Sequence, residues 1–128
     1  MGYRKCIALL PVEDLDAVVA FYRDALGFEA VGSHQEAGEL EWCRLRSGGA
    51  EVMFYSPAAE GDEPPLLEDR DRVILYLVTD ELERLHASLS ERGEEVSPVR
   101  ATFYGLDECD VVDPAGYTVT LAQRRAEG

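Results

Sequence analysis

The residues of this chain that could do chemistry stand mostly on short strand-like runs. Glu51, Met53 and Tyr55 alternate along one run, and Leu40, Trp42 and Arg44 along the run before it. Near the C-terminus Glu108 alternates with Asp110, and Thr118 with Thr120. Side chains two apart on a strand share a face, so each set points one way. Carboxylates are uncommon in strands. Aromatic faces with carboxylates nearby suit flat or cationic ligands, which makes Trp42 and Tyr55 candidate stacking surfaces. A carboxylate in apolar surroundings has a raised pKa and can serve as a general base, a role open to Glu51 or Glu108. Structural readings compete at each position. Trp42 and Tyr55 also fit a core or an interface, and Glu51, Glu108 and Asp110 fit solvated strand ends.

The other reactive residues are scattered. No nucleophile, base and orienter stand together in a recognisable pattern. His34 falls in a polar loop and is expected at the surface, and His86 falls on a helix pattern and is expected to be partly exposed. Cys6, Cys43 and Cys109 are odd in number and far apart, so they form no disulfide framework and point to a reducing cytoplasm. Cys43 and Cys109 alternate with Leu45 and Val111, as small apolar filler does.

Composition narrows the class. With 46% apolar and 30% charged residues in 128, one soluble domain with a real core is expected. Twenty-six acidic residues against 12 basic ones give a net charge of −14, which repels nucleic-acid phosphates and anionic membranes. Solubility accounts for such a field, and attraction of a cationic ligand is the sharper alternative. No apolar run approaches the roughly 18 residues of a membrane span. The segment from Met1 to Lys5 leads into a strand and lacks the pattern of a signal peptide. Gly2 raises the question of myristoylation, but Cys6 stands where Ser or Thr is needed.

The elements that must position these residues come in two rounds. Residues 6–12 read as a strand. Asp14 is placed to cap a helix carrying Leu15, Val18, Val19, Tyr22 and Leu26 at helical spacing, and Gly27 ends it. Residues 28–31 read as a strand and 32–38 as a polar loop. Residues 40–45 and 51–55 are strands joined by a turn at Ser47, Gly48 and Gly49. Residues 58–71 hold acids and Pro64-Pro65 and read as a linker. The pattern then restarts with a strand at 73–78 and a cap at Asp80. A helix bearing Leu82, Leu85 and Leu89 follows, with Gly93 at its end. Strands are expected at 95–97, 108–112 and 117–122, the last two joined by a tight turn at Asp113-Pro-Ala-Gly116. Val12 and Val78, Asp14 and Asp80, and Gly27 and Gly93 each stand 66 apart, whereas Gly49 and Gly116 stand 67 apart. One extra residue in the second half explains the change. Two copies of a strand–helix–three-strand unit imply a pseudo-symmetric domain and not a solenoid.

Three stretches give these copies a family likeness: residues 10–15 (LPVEDL), residues 20–28 (AFYRDALGF), and Tyr104-Gly105 leading into Asp113-Pro-Ala-Gly116. The chain resembles the glyoxalase, bleomycin-resistance and dioxygenase superfamily, also called vicinal oxygen chelate proteins, over nearly its whole length. The resemblance implies an α+β fold of two tandem βαβββ modules, whose sheets form a cupped, barrel-like mixed sheet with the helices outside. It implies a single domain over 1–128, with module one at 3–57, a linker at 58–71 and module two at 72–124. It also implies dimers, some with modules exchanged between chains.

In that family four cup-facing positions often hold metal ligands. The resemblance places them at Ile7, Met53, Val73 and Thr120, none a convincing ligand for a divalent ion. No metal and no cofactor are therefore expected. On the first strand Ile7 and Leu9 are assigned to the cup, and on the restart Val73, Leu75 and Leu77. The leading expectation is a metal-independent small-molecule binding protein of the bleomycin-resistance type, a cytoplasmic homodimer sequestering a cationic or planar compound. Its ligand would touch Trp42, Arg44, Glu51, Met53, Tyr55, Glu108, Asp110 and Thr120. The alternative is an enzyme of the superfamily, cofactorless or metal-dependent, of lyase, isomerase or dioxygenase type.

Overall fold

A computed structural model describes residues 2–57 and 73–126. The chain divides into two compact units between residues 67 and 68. The expected linker at 58–71 lies outside the described residues.

The first unit runs β1 (Ala8–Pro11), α1 (Leu15–Asp24), β2 (Glu29–Glu36), β3 (Glu39–Ser47) and β4 (Ala50–Tyr55). Its sheet has the order β1-β4-β3-β2, with β1 parallel to β4 and the other pairs antiparallel. Asp14 caps α1 as expected, its carboxylate accepting from the Ala17 N–H at 3.1 Å. Leu15, Val18, Phe21 and Tyr22 line the buried side of the helix. After α1 the chain reverses at Gly27, whose φ of 78° suits glycine, and the Phe28 N–H reaches the Tyr22 carbonyl at 2.9 Å. Tyr22 is fully buried, edge-on to Phe28 at 5.6 Å and tilted against Phe54 at 5.1 Å.

The second unit repeats the order with β5 (Ile74–Val78), α2 (Leu82–Glu91), β6 (Arg100–Ala101), β7 (Leu106–Val112) and β8 (Thr118–Arg124). Its sheet has the order β5-β8-β7-β6, again with one parallel pair, β5 and β8. Asp113 organises the turn before β8. Its Oδ1 accepts from the Ala115 and Tyr117 N–H groups at 2.9 Å each, and its carbonyl from the Gly116 N–H. The α+β fold of two tandem βαβββ modules is thus present. No helix among the described residues is long and apolar enough to cross a membrane.

Three local expectations need correction. The polar stretch 32–38 is mostly strand, since β2 continues to Glu36. It is an edge strand with two register shifts and seven of its eight residues exposed, so no apolar alternation marks it. The strand expected at 95–97 is a lone bridge between Val96 and Val111. The Ser97 N–H reaches the Asp110 carbonyl at 2.9 Å, but the Asp110 N–H is taken by Ser97 Oγ at 2.8 Å and not by the Ser97 carbonyl, and pairing resumes only at Arg100. The cap of α2 is not Asp80. Glu81 holds the N-cap position without a side-chain bond, and the Leu82 N–H is taken up by Gln123 Oε1 on β8 at 2.9 Å. A partner 41 residues away leaves no local mark.

The hairpin between β2 and β3 turns through Ala37 and Gly38, with φ of 53° and 82°. Both lie in the left-handed region that an Asn-Gly turn favours. Ala37→Asn should therefore raise stability by about 0.5–1 kcal/mol in urea unfolding. An unchanged or lower midpoint would contradict this turn geometry.

Candidate functional site

Each sheet has a helix-side face and an opposite face, and the register sorts the side chains between them. In the first sheet Val52, Phe54, Cys43 and Leu45 are buried on the helix side. The opposite face carries Leu9, Met53 and Arg44 in one row, and Tyr55, Trp42 and His34 in the next. Trp42, Arg44, Glu51, Met53 and Tyr55 thus share the expected face, Trp42, Arg44, Met53 and Tyr55 half-buried. The Trp42 indole lies across Gly32, where an added Cβ would stand 3.2 Å from Cη2. Nothing in the pattern of the sequence announced that glycine.

Glu51 does not behave as the sequence suggested. Its side chain is 4% exposed, and it accepts from Lys5 Nζ at 2.6 Å and from Arg44 Nε. The Arg44 bond first, then the Lys5 bond, holds its carboxyl down to about 2. The expected upward shift is overturned because two cations outweigh desolvation.

The second sheet buries Leu121, Val119, Cys109 and Val111 on its helix side. Its other face carries Tyr76, Thr120 and Asp110 in one row, and Val78, Ala122, Glu108 and Arg100 in the next. This corrects the assignment of β5. Ile74, Tyr76 and Val78 are on the open face and exposed, whereas Leu75 and Leu77 pair with Val119 and Leu121 on the helix side. Val73, just before β5, alternates with Leu75, so Tyr76 and not Val73 stands beside Thr120. The two modules are 67 apart in the Leu9–Met53 and Tyr76–Thr120 pairs and in their helices, Leu15–Asp24 and Leu82–Glu91, whereas Gly27 and Gly93 are 66 apart. With both faces of β5 apolar, the sequence could not reveal where that residue entered.

Glu108 and Asp110 are held as firmly as Glu51. Glu108, 4% exposed, accepts at Oε2 from the hydroxyls of Tyr76, at 2.6 Å, and Tyr104, and at Oε1 from Arg100 at 2.8 Å. The Tyr104 and Tyr76 bonds, with Arg100, lower its pKa despite burial. Arg100 also forks onto Asp110 at 2.8 and 3.2 Å, and Thr120 donates to Asp110 Oδ1 at 2.7 Å. The Arg100 bond leads in lowering Asp110. Tyr76 and Tyr104 are raised in turn, chiefly by the bond to Glu108. Both phenols stay protonated at neutral pH. Sequence reasoning missed Tyr76, Arg100 and Tyr104. A basic residue and two tyrosines near a strand acid were the available signal, but only the register brings them together.

The remaining reactive groups fit quieter roles. Cys43 and Cys109 are buried and free, and burial raises both thiols, Cys43 to about 11. His86 is half-buried on α2, its Nε2 3.0 Å from the Ser97 carbonyl. Among the described residues one group of three possible metal donors occurs, His34, Glu36 and Glu41, within 4.8 Å of one another on the β2–β3 hairpin. His34 is a strand residue and not a loop residue, but it is exposed as expected. Of the four positions implied by the resemblance, Met53 has Leu9 and not Ile7 beside it, and Thr120 has Tyr76 and not Val73. Met53 offers a soft thioether, and the hydroxyls of Thr120 and Tyr76 are engaged with carboxylates. The neighbouring carboxylates are paired with Arg or Lys, so this donor set does not fit a divalent ion. A cavity of the second unit lies elsewhere. About 760 Å³ in volume, it opens at the start of α2 between Asp80, Glu81, Arg84, Val99, Gln123 and Arg125.

Comparison with known proteins bears on the whole chain. The family model for the glyoxalase/bleomycin resistance protein/dioxygenase superfamily matches residues 7–121. Among curated protein sequences none matches. Solved structures do. TnmS3, an antibiotic binding protein from Streptomyces sp. CB03234, is 24% identical with a TM-score of 0.73, covering 98% of this chain and 99% of its own. A bleomycin resistance determinant encoded on the transposon Tn5 is 22% identical with a TM-score of 0.73, covering 97% and 100%. Lactoylglutathione lyase from Agrobacterium tumefaciens is 19% identical with a TM-score of 0.74, covering 96% and 95%. At such identities the likeness is one of fold.

The Glu51 cluster gives a pH test. Its folded pKa lies below the ordinary 4.5, so its stabilisation is present above 4.5 and is lost as pH falls towards 2. Glu51→Gln should be less stable than the parent at pH 7 in chemical denaturation. The gap should close as the pH is lowered from 4.5 to 2. A gap independent of pH would show that the ion pairs contribute nothing.

Proposed function

The chain belongs to the glyoxalase/bleomycin resistance protein/dioxygenase superfamily, and from that membership we propose that it is a metal-independent binding protein of the bleomycin-resistance type. It holds a planar small molecule on an open sheet face and leaves it unaltered. The observation that carries this reading is the state of the open-face carboxylates. Glu51, Glu108 and Asp110 are each engaged with cationic side chains and held below their ordinary pKa. A carboxylate so held is a poor general base at neutral pH and a poor metal ligand. What remains on those faces is aromatic and apolar surface: Trp42, Tyr55, Tyr76 and Met53. The antibiotic and bleomycin proteins and the lyase share the fold alike, so the choice between them rests on these side chains.

The working unit is a homodimer in the cytoplasm. Leu9, Ile74, Val78 and Val112 are exposed apolar residues on the open faces, and a second copy can cover such surface. Sedimentation at micromolar concentration should show twice the 14.2 kDa chain mass. Monomer alone would remove the dimer from the proposal.

A thermal-shift screen on protein assayed for metal tests the central reading. Planar antibiotics should raise the melting temperature, since a ligand at 100 times its Kd adds about 2.7 kcal/mol to stability. Chelator should leave it unchanged. Stabilisation confined to nickel, manganese, zinc or iron would overturn the proposal in favour of a metalloenzyme.

A further inference from the structure

The open face of the second sheet has a hydrogen-bonding polarity that narrows the ligand. A phenol has one proton to give and two lone pairs to receive with. The protons of Tyr76 and Tyr104 both go to a single atom, Oε2 of Glu108. Glu108 cannot release them cheaply. It is 4% exposed, its other oxygen is bonded to Arg100 at 2.8 Å, and a buried carboxylate stripped of donors is costly. The two phenol oxygens therefore sit side by side against one carboxylate oxygen, with only lone pairs left to offer a ligand. The residues that carry them are not buried, Tyr76 being 43% and Tyr104 50% exposed. Beside them Phe103 is 99% exposed and stands edge-on to Tyr104, with ring centroids 5.1 Å apart. Arg100, the cation at this place, is already divided between Glu108 and Asp110.

We propose that Tyr76 and Tyr104, pinned by Glu108, form a donor-reading subsite for a flat aromatic ligand bearing N–H groups, with Phe103 as an adjoining apolar surface. The assignment rests on the small-molecule binding reading and deepens it. An amino or amidine N–H pointing at the phenol oxygens completes their bonding. A carbonyl or carboxylate there meets lone pairs backed by a buried negative charge. Glu108 is a positioning residue, acting through the two phenols.

The test uses two fluorescent acridines of like shape and equal charge. 9-Aminoacridinium carries N–H donors, and 10-methylacridinium carries none, so the field of −14 attracts both alike. Titrated into the full chain at physiological salt, 9-aminoacridinium should bind at least tenfold tighter. In the Tyr76→Phe/Tyr104→Phe double variant the rings and net charge remain, and the preference should fall to within about twofold. The affinity for 10-methylacridinium should hold. Tyr104→Phe alone leaves Glu108 two of its three partners and serves if the double variant does not fold. It should lose roughly half of the preference on a logarithmic scale. Equal binding of the two dyes, a preference that survives loss of the hydroxyls, or no binding of either dye would each overturn the subsite. The broader reading would stand or fall separately, on the planar compounds of the thermal-shift screen.

Discussion

Among the described residues each four-stranded sheet has a single helix to cover it, and that helix covers only one of the two faces. The rest of the structure follows from that constraint. On the covered faces the side chains are apolar and close-packed, as around Tyr22, Phe54 and Phe28. The open faces must be stable without such a cover and still present something to a ligand. They do this with ion pairs and hydrogen bonds laid across neighbouring strands, which hold polar groups in place where no helix packs.

These clusters also decide which chemistry is open to the chain. A lone carboxylate on a half-apolar surface invites a proton and can return it. Here each carboxylate is met by at least one cation on the same face, Lys5 and Arg44 for Glu51, Arg100 for Glu108 and Asp110. Charge neutralisation outweighs desolvation, and the groups become fixed parts of the wall. The phenols that complete the Glu108 cluster gain orientation from it. Both hydroxyls are held on one oxygen of Glu108, and such fixed side chains lose less freedom when a ligand binds.

Much of this was legible beforehand. The repeated order of elements, the Asp14 cap, the glycine at the end of α1 and the Asp113 turn all act within a few residues, so local pattern exposes them. The faces of β3, β4, β7 and β8 were also legible, because there a buried apolar set alternates with a polar one. The faces of β5 were not, since Ile74, Leu75, Tyr76, Leu77 and Val78 are all apolar or aromatic. β2 was hidden for the opposite reason, being polar nearly throughout. The Gln123 contact to α2 was hidden by its distance along the chain.

The sequence by itself determined the doubled architecture, because periodicity is a local property. It also placed Trp42, Met53, Glu51, Glu108 and Asp110 on the open faces. The tertiary structure alone decided what those residues are. Whether a carboxylate is a base or a fixed anion depends on what stands within about 3 Å of it. For Glu108 those neighbours come from β5, β6 and the loop before β7, and only strand pairing brings them together.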